Sequence, residues 1–352
     1  MQLSEFDFPF DPTLIAAHPI LPRDHARLLV LQALDQSLAH RRVDELPDLL
    51  QPGDLLVVND TKVLASRVTG RKRPSGAGVE ILFVKDLGDA VWEVLIKGTY
   101  RPGQVLEMGT KASVVVVERG ATRTTVRVES PIPFPEWLRL YGRMPLPPYL
   151  KRAPTDQDRE WYQTIFAQHE GAIAAPTAGL HFTPALLARL QQRGIGLTAI
   201  TLHVGVGTFT PVTVNQIEDH RMGAEWIEVG AEALRAIEQV RMRGRRIVAV
   251  GTTVVRALET AARVNGQIRP YRGKTDIFMT PGFPFKVVDA LLTNFHLPRT
   301  TLLMLVSALA GTEFLRQAYA EAVRERYRFY SYGDAMLIFS QTQRHHGFKS
   351  TP

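Results

Sequence analysis

Apolar positions along this chain recur in more than one spacing, and the points where the spacing changes outline its architecture. The run RDHARLLVLQALD, Arg23 to Asp35, fits a helix and a strand equally well. DLLVVN, Asp54 to Asn59, is a short apolar strand that ends in Asn59, Asp60, Thr61 and Lys62. From there to about Ser130, alternating or β-branched runs follow at short intervals: VEILFV, AVWEVLI, ASVVVVE and TTVRVE. Gly and Lys turns separate them and no helical period intervenes, which predicts a small antiparallel barrel or sandwich. The proline-rich segments PIPFPEW and MPLPPYL, within Pro131 to Leu150, then lead back.

From Asp156 onward strand and helix alternate. Thr183 is placed to cap a helix with Pro184 at its first position, and that helix ends at Gly194. The strand GLTAITLHVG follows, then a helix over roughly Ala231 to Met242. RIVAVG, Arg246 to Gly251, feeds a helix starting near Thr253. Helices over Thr301 to Ala310 and Phe314 to Tyr327 precede a last strand, Ala335 to Phe339, and the tail QTQRHHGFKSTP is expected to fray. The reading is an α/β main domain, residues 1–60 and 151–352, with a small antiparallel β-barrel inserted at residues 61–150.

The apolar runs of the second half end in unusual clusters: AAPTAGLHFTP, TLHVGVGTFTP, AVGTTVVRALET, TDIFMTPGF and TNFHLPRTTLLM. An ordinary strand gives way to Gly, Asn or Asp. Here His181, His203, His296 and many hydroxyls stand where parallel strands hand over to helices, the edge at which α/β proteins bind ligands. That pattern points to an enzyme. Gly251, Thr252 and Thr253 open a helix whose N-terminus can hold a carboxylate or phosphate, although a tight turn with a Thr cap explains them as simply. The segment is neither GxGxxG nor a P-loop, so a nicotinamide or nucleoside triphosphate site is unsupported. A lone histidine is usually structural; three at equivalent strand ends favour a shared site. No HExxH or close His pair with a carboxylate points to metal. His220 and Glu225 offer a base and a carboxylate on one loop. Arg256 and Glu259, three apart on a helix face, are placed to pair with each other. Asp276 opens an apolar strand, Asp334 is a turn residue, and Lys286 lies alone between apolar runs.

Composition narrows the classes further. The 352 residues contain no cysteine, which removes disulfides, thiolate catalysis and cysteine metal sites. The start, MQLSEFDFPFDP, lacks the features of a signal peptide, and the longest apolar stretch is about half a membrane span. A cytoplasmic protein that binds no membrane, and acts as a monomer, is expected. The net charge is +7 and is clustered at Arg71, Lys72 and Arg73, at Lys151 and Arg152, and from Arg241 to Arg246. Such clusters favour a polyanionic partner, nucleic acid ahead of membrane.

APTAGLHFT, LHVGVGTFTPV, AVGTTVVRALET, the long run from TDIFMTPGF to LVSALAG, and YRFYSYGDAMLI resemble the S-adenosylmethionine:tRNA ribosyltransferase-isomerase family of queuosine biosynthesis. LPRDHARLLVL, NDTKVLASRVTGRK and MPLPPYLKR match as well, so the resemblance runs collinearly from about residue 5 to 340. One departure is Gly223, where the family often carries a second histidine. The resemblance implies an α/β domain with an inserted barrel, no metal and no tightly bound cofactor. It implies S-adenosylmethionine as co-substrate and the aminomethyl group of 7-aminomethyl-7-deazaguanine, in the tRNA anticodon loop, as acceptor. The products implied are epoxyqueuosine in tRNA, adenine and methionine.

That chemistry closes a new carbon–carbon bond. It requires a base for a hydrogen beside the sulfonium, an acid for departing adenine, and a site for a zwitterionic amino acid. His181, His203, His220 and His296 are the candidate acids and bases, with Glu225 as orienting or pairing carboxylate. Arg256 or Lys286 suits the methionyl carboxylate, with Thr177, Thr252 and Thr253 supplying hydroxyls. Gly179 and Asp276 belong to the same substrate-binding set, and Arg71, Lys72, Arg73, Lys151 and Arg152 to a tRNA-binding one. Two other classes compete. A tRNA-binding module without catalysis has no use for the histidine motifs, and a methyltransferase needs a glycine-rich loop after its first strand that is not found.

Overall fold

The computed structural model describes residues 1–120, 123–205, 212–264 and 268–340. The frayed tail expected from Gln341 to Pro352 lies outside the described residues. In chain order the strands are β1 (Arg27–Gln32), β2 (Ser37–Arg42), β3 (Leu55–Asn59), β4 (Thr61–Val63), β5 (Arg67–Lys72), β6 (Gly78–Gly88), β7 (Val91–Lys97), β8 (Val105–Gly109), β9 (Ala112–Arg119), β10 (Thr124–Glu129), β11 (His169–Ala172), β12 (Gly196–His203), β13 (Glu225–Val229), β14 (Ile247–Val250), β15 (Tyr271–Thr275), β16 (Ala290–Asn294) and β17 (Ala335–Phe339). The helices are α1 (Leu46–Leu49), α2 (Phe134–Tyr141), α3 (Asp158–Trp161), α4 (Pro184–Gln192), α5 (Ala231–Met242), α6 (Thr252–Val264), α7 (Thr301–Ala310) and α8 (Thr312–Arg324).

Nine strands form one sheet in the order β15-β13-β12-β3-β14-β16-β17-β1-β2. Its centre, β12, β3, β14 and β16, is parallel. These strands are nearly all apolar because both faces are covered. Alternate residues divide between two cores: Val57, Ala249 and Leu291 face α5, α6 and α7, whereas Leu56, Val248 and Leu292 join Leu46, Leu186 and Leu190 of α1 and α4. The ambiguous run at Arg23 becomes a strand, because β1 pairs in parallel with β17 and antiparallel with β2. Thr183 does cap α4, its hydroxyl accepting the N–H of Leu186.

The second texture closes into a barrel of six antiparallel strands, β10-β7-β6-β5-β8-β9. Period-two alternation fills it with Ile81, Phe83, Val94, Leu106 and Val114, and α2 plugs it with Phe134, Trp137 and Leu138. Where the chain enters and leaves, Arg67 and Arg143 exchange two backbone hydrogen bonds, at 3.1 and 2.8 Å. Gly142 makes that return possible: a Cβ there would sit 1.7 Å from the carbonyl oxygen of Ala65. β4 pairs instead with β11, and Met144, Leu146 and Leu150 pack with Tyr162 and Tyr332 of the α/β part. No helix among the described residues is long and apolar enough to cross a membrane.

Candidate active site

The carboxyl ends of the parallel strands surround a cavity of about 510 Å³. Three segments that begin helical turns contribute to its walls: Thr177, the Gly251–Thr252–Thr253 start of α6, and the Thr300–Thr301 start of α7. Gly251 has φ +96°, a left-handed conformation that favours glycine, and it turns β14 directly into α6. Asn59, at the end of β3, fastens this edge together. Its side chain donates to the Leu202 carbonyl at 3.0 Å and to the Thr253 hydroxyl at 3.3 Å, and accepts from Leu202 N–H at 3.0 Å.

Of the four histidines singled out in the sequence, His296 lines the cavity. Burial drives its pKa from 6.5 down to about 3, so its imidazole is neutral. Nε2 is hydrogen-bonded to Thr293 at 3.4 Å, and Nδ1 has no partner. His181 stands one side chain behind the wall. Its Nε2 accepts an N–H of Asn294 at 3.2 Å, and burial with the nearby Arg328 charge lowers its pKa to about 4. His203 is held elsewhere: Nδ1 is 2.7 Å from the Thr61 hydroxyl and the ring stacks on Trp226. Burial lowers its pKa as well. His220 packs edge-on against Phe278, and partial burial lowers its pKa.

Several expected pairings resolve differently. Arg256 ion-pairs with Glu225 at the start of β13, both almost fully buried. It does not pair with Glu259, whose carboxylate accepts the backbone N–H groups of Lys286, Val287 and Val288 at 2.7–3.1 Å. Helical spacing placed Arg256 and Glu259 together, but a buried carboxylate satisfied by three amides needs no cation. Glu225 also accepts the Gly205 N–H at 2.9 Å, so it serves Arg256 and the backbone and has no bond to His220. Asp276 follows β15 and opens no strand, because the Thr275 hydroxyl bonds Thr260 and receives the Ile277 N–H, ending the ladder. Asp276 and the Lys286 side chain are exposed, whereas Gly179 is buried in the turn beneath Thr177. Asp334 is more than a turn residue: buried, it accepts the backbone N–H groups of Arg27 and Arg328.

Among the basic clusters, Arg71 and Arg73 are exposed at one end of the barrel, around a recess of about 670 Å³ that includes Lys111. Lys72 is half-buried, its ammonium on the Thr99 carbonyl at 2.6 Å. Lys151 is exposed two positions beyond Tyr149, a cavity residue. Arg152 is committed inward, donating to both oxygens of Asp158 at 2.6 and 2.7 Å. Burial alone would raise the Asp158 pKa; Arg152 and Thr155 outweigh it and bring it to about 2. Arg246 precedes β14 and clasps buried Asp54 at the opposite edge of the sheet from the cavity. Among the described residues, no three His, Asp or Glu side chains cluster as a metal site requires.

A family model described as queuosine biosynthesis protein matches residues 3–338. The chain belongs to that family. The S-adenosylmethionine:tRNA ribosyltransferase-isomerase of Xanthomonas oryzae pv. oryzae is 47% identical over 348 residues, 97% of this chain and 98% of the relative. The protein of the same name from Aquifex aeolicus is 48% identical over 342 residues, 96% of this chain and all of the relative. The crystal structure of S-adenosylmethionine tRNA ribosyltransferase from Thermotoga maritima superposes with a TM-score of 0.56 at 39% identity, covering 96% of this chain and all of the other.

In this member of the queuosine biosynthesis family the walls also contain residues that sequence reasoning passed over: Asn294, Tyr149, Tyr330 and Tyr162. Asn294 and Tyr330 lie within motifs read for their neighbours. A His two positions before Pro298 draws attention that an Asn two positions earlier does not.

Proposed function

We propose that the chain transfers and isomerises the ribosyl moiety of S-adenosylmethionine onto 7-aminomethyl-7-deazaguanine at the wobble position of tRNA, releasing adenine and methionine. The observation that carries this reading is the convergence of two helix N-termini and neutral His296 on one 510 Å³ cavity. Its volume is that of a small-molecule site. The first turns of α6 and α7 present backbone N–H groups and threonine hydroxyls, which suit the methionyl carboxylate. His296 is assigned the hydrogen beside the sulfonium on position, because its unpartnered Nδ1 lies at the cavity; the burial that keeps it neutral also makes it a weak base and lends the assignment no support. His181 acts through Asn294 and not on substrate. S-adenosylmethionine is consumed as a co-substrate, and no tightly bound cofactor is invoked.

The charge distribution supports tRNA as the second substrate. Residues 61–150 contain fourteen Lys and Arg against eight Asp and Glu, so this stretch accounts for most of the net +7. Of the exposed members of the clusters, which also include Arg243 and Arg245, we take Arg71, Lys151 and Arg73, itself paired with Glu107, as the phosphate contacts of this reading. We assign residues 61–150 to the inserted unit, whose barrel and plugging helix lie between Arg67 and Arg143 while its two ends pack on the α/β part, and 1–60 with 151–352 to the catalytic unit, acting in the cytoplasm as a monomer.

The test is incubation with S-adenosylmethionine and tRNA carrying the aminomethyl-deazaguanine. Adenine and methionine should appear together; S-adenosylhomocysteine without adenine would overturn the reading.

A further inference from the structure

Tyr149 and Tyr330 both line the cavity, with ring centroids 3.8 Å apart and planes inclined by 33°. They arrive from separate places: Tyr149 on the segment returning from the barrel, Tyr330 on the loop before β17. The Tyr149 hydroxyl is hydrogen-bonded to Ser331 at 2.5 Å, which fixes the first ring against the second loop.

Tyr330 has φ +69°, uncommon for an aromatic residue, and such a conformation persists where its surroundings over-determine it. Three backbone-directed bonds do so here. Asn294 and the Gly333 N–H both donate to the Tyr330 carbonyl, at 3.0 and 2.9 Å, and the Tyr330 N–H donates to Phe295 at 3.2 Å. Asn294 is itself immobile, because its other N–H goes to His181 and its oxygen accepts the Thr177 hydroxyl at 2.9 Å. A buried polar network is thus spent on the placement of one ring.

We infer that Tyr149 and Tyr330 form a stacking wall that receives a planar, purine-type ring in this cavity. The inference rests on the transferase reading and names a subsite within it. Burial pushes both phenol pKa values up, so both hydroxyls stay protonated and the rings present neutral faces. Stacking on such faces favours flat heteroaromatics over aliphatic chains. The polar groups of the same cavity, Thr177, Thr252 and Thr301 among them, suit a ligand with polar groups on its edge, which a purine has and an apolar tail lacks. The ring is the adenine of the sulfonium substrate or the deazaguanine of the tRNA; the chemistry of recognition is the same.

Calorimetric binding of adenine and of an anticodon stem-loop RNA distinguishes the two sources. Y149L and Y330L should weaken binding of the ring's source by about tenfold or more, whereas Y149F and Y330F should stay within about threefold of wild type. Loss confined to adenine assigns the wall to the sulfonium substrate; loss confined to the RNA assigns it to the tRNA base. Leu variants that bind both probes normally, or Phe variants that lose as much as Leu, would overturn the wall. Should a Leu variant fail to fold, hypochromism of adenine and of 7-aminomethyl-7-deazaguanine, each bound to the wild type as the free base, remains a direct reading of stacking, and its absence for both overturns the wall. None of these measurements needs turnover, so failure to release adenine in the full reaction would bear on the transferase reading alone.

Discussion

Asn294 donates an amide hydrogen to Nε2 of His181, although the two lie 113 positions apart. The bond makes His181 a positioning residue, since Asn294 is the side chain that meets the cavity. His181→Ala should raise the KM for S-adenosylmethionine about tenfold with kcat less affected, and lower the melting temperature by several degrees. His181→Gln, which keeps an acceptor for Asn294, should restore part of the binding. A fall in kcat alone would show that His181 acts on substrate.

His296 is the sharper case. His296→Gln should reduce single-turnover adenine release by about 10²–10⁴-fold while unfolding remains cooperative at a similar temperature. Unchanged turnover would remove His296 from the chemistry.

The Arg256–Glu225 pair is buried, so removing one partner strands the other charge in the interior. Arg256→Leu alone should cost roughly 3–5 kcal/mol in urea unfolding. Leucine at both positions should recover much of that loss, and a double variant no more stable than the single one would count against this account.

Stability should also report the buried imidazoles. Both His181 and His296 have folded pKa values depressed, to about 4 and about 3, from 6.5. The unfolded chain therefore binds protons that the folded chain refuses. The stabilisation is fully present above about pH 6.5 and is lost as pH falls toward the folded values, at roughly 1.4 kcal/mol per pH unit per histidine. Urea midpoints from about pH 7 to about pH 5 should fall steeply in the wild type and less steeply in a His181→Asn, His296→Asn double variant. Asp158, depressed to about 2 from 3.8, adds its loss only at lower pH.

For tRNA, arginines exposed on the barrel, Arg73 with its exposed partner Glu107 included, should separate from those that clasp a buried carboxylate. Replacing Arg71 and Arg73 by Ala should reduce the slope of log affinity against log salt by up to about two if both meet phosphates. Arg152→Ala and Arg246→Ala should leave that slope unchanged and lower stability, because each breaks a bond to a buried carboxylate.

Local spacing alone determined much of the architecture. Ala231–Met242 lies where its apolar period places it, because one face of that helix is buried, and Thr301–Ala310 and Ala335–Phe339 lie where continuous apolar runs place elements covered on most sides. The shift to alternation after Asn59 announced the barrel for the same reason. The run from Arg27 to Gln32 was undecidable locally and became a strand only through β17 and β2, whose residues are distant in sequence or dependent on closure of the sheet. The site is still less local. Strand order sets β3 between β12 and β14 and so brings Asn59 against Leu202 and Thr253. The same packing gives Arg256 to Glu225 instead of Glu259, turns Arg152 inward to Asp158, and puts Asn294 between His181 and the cavity. A residue type and its neighbours state what a side chain can do. Which groups it meets depends on contacts between segments far apart in the chain, and only the tertiary structure decides those.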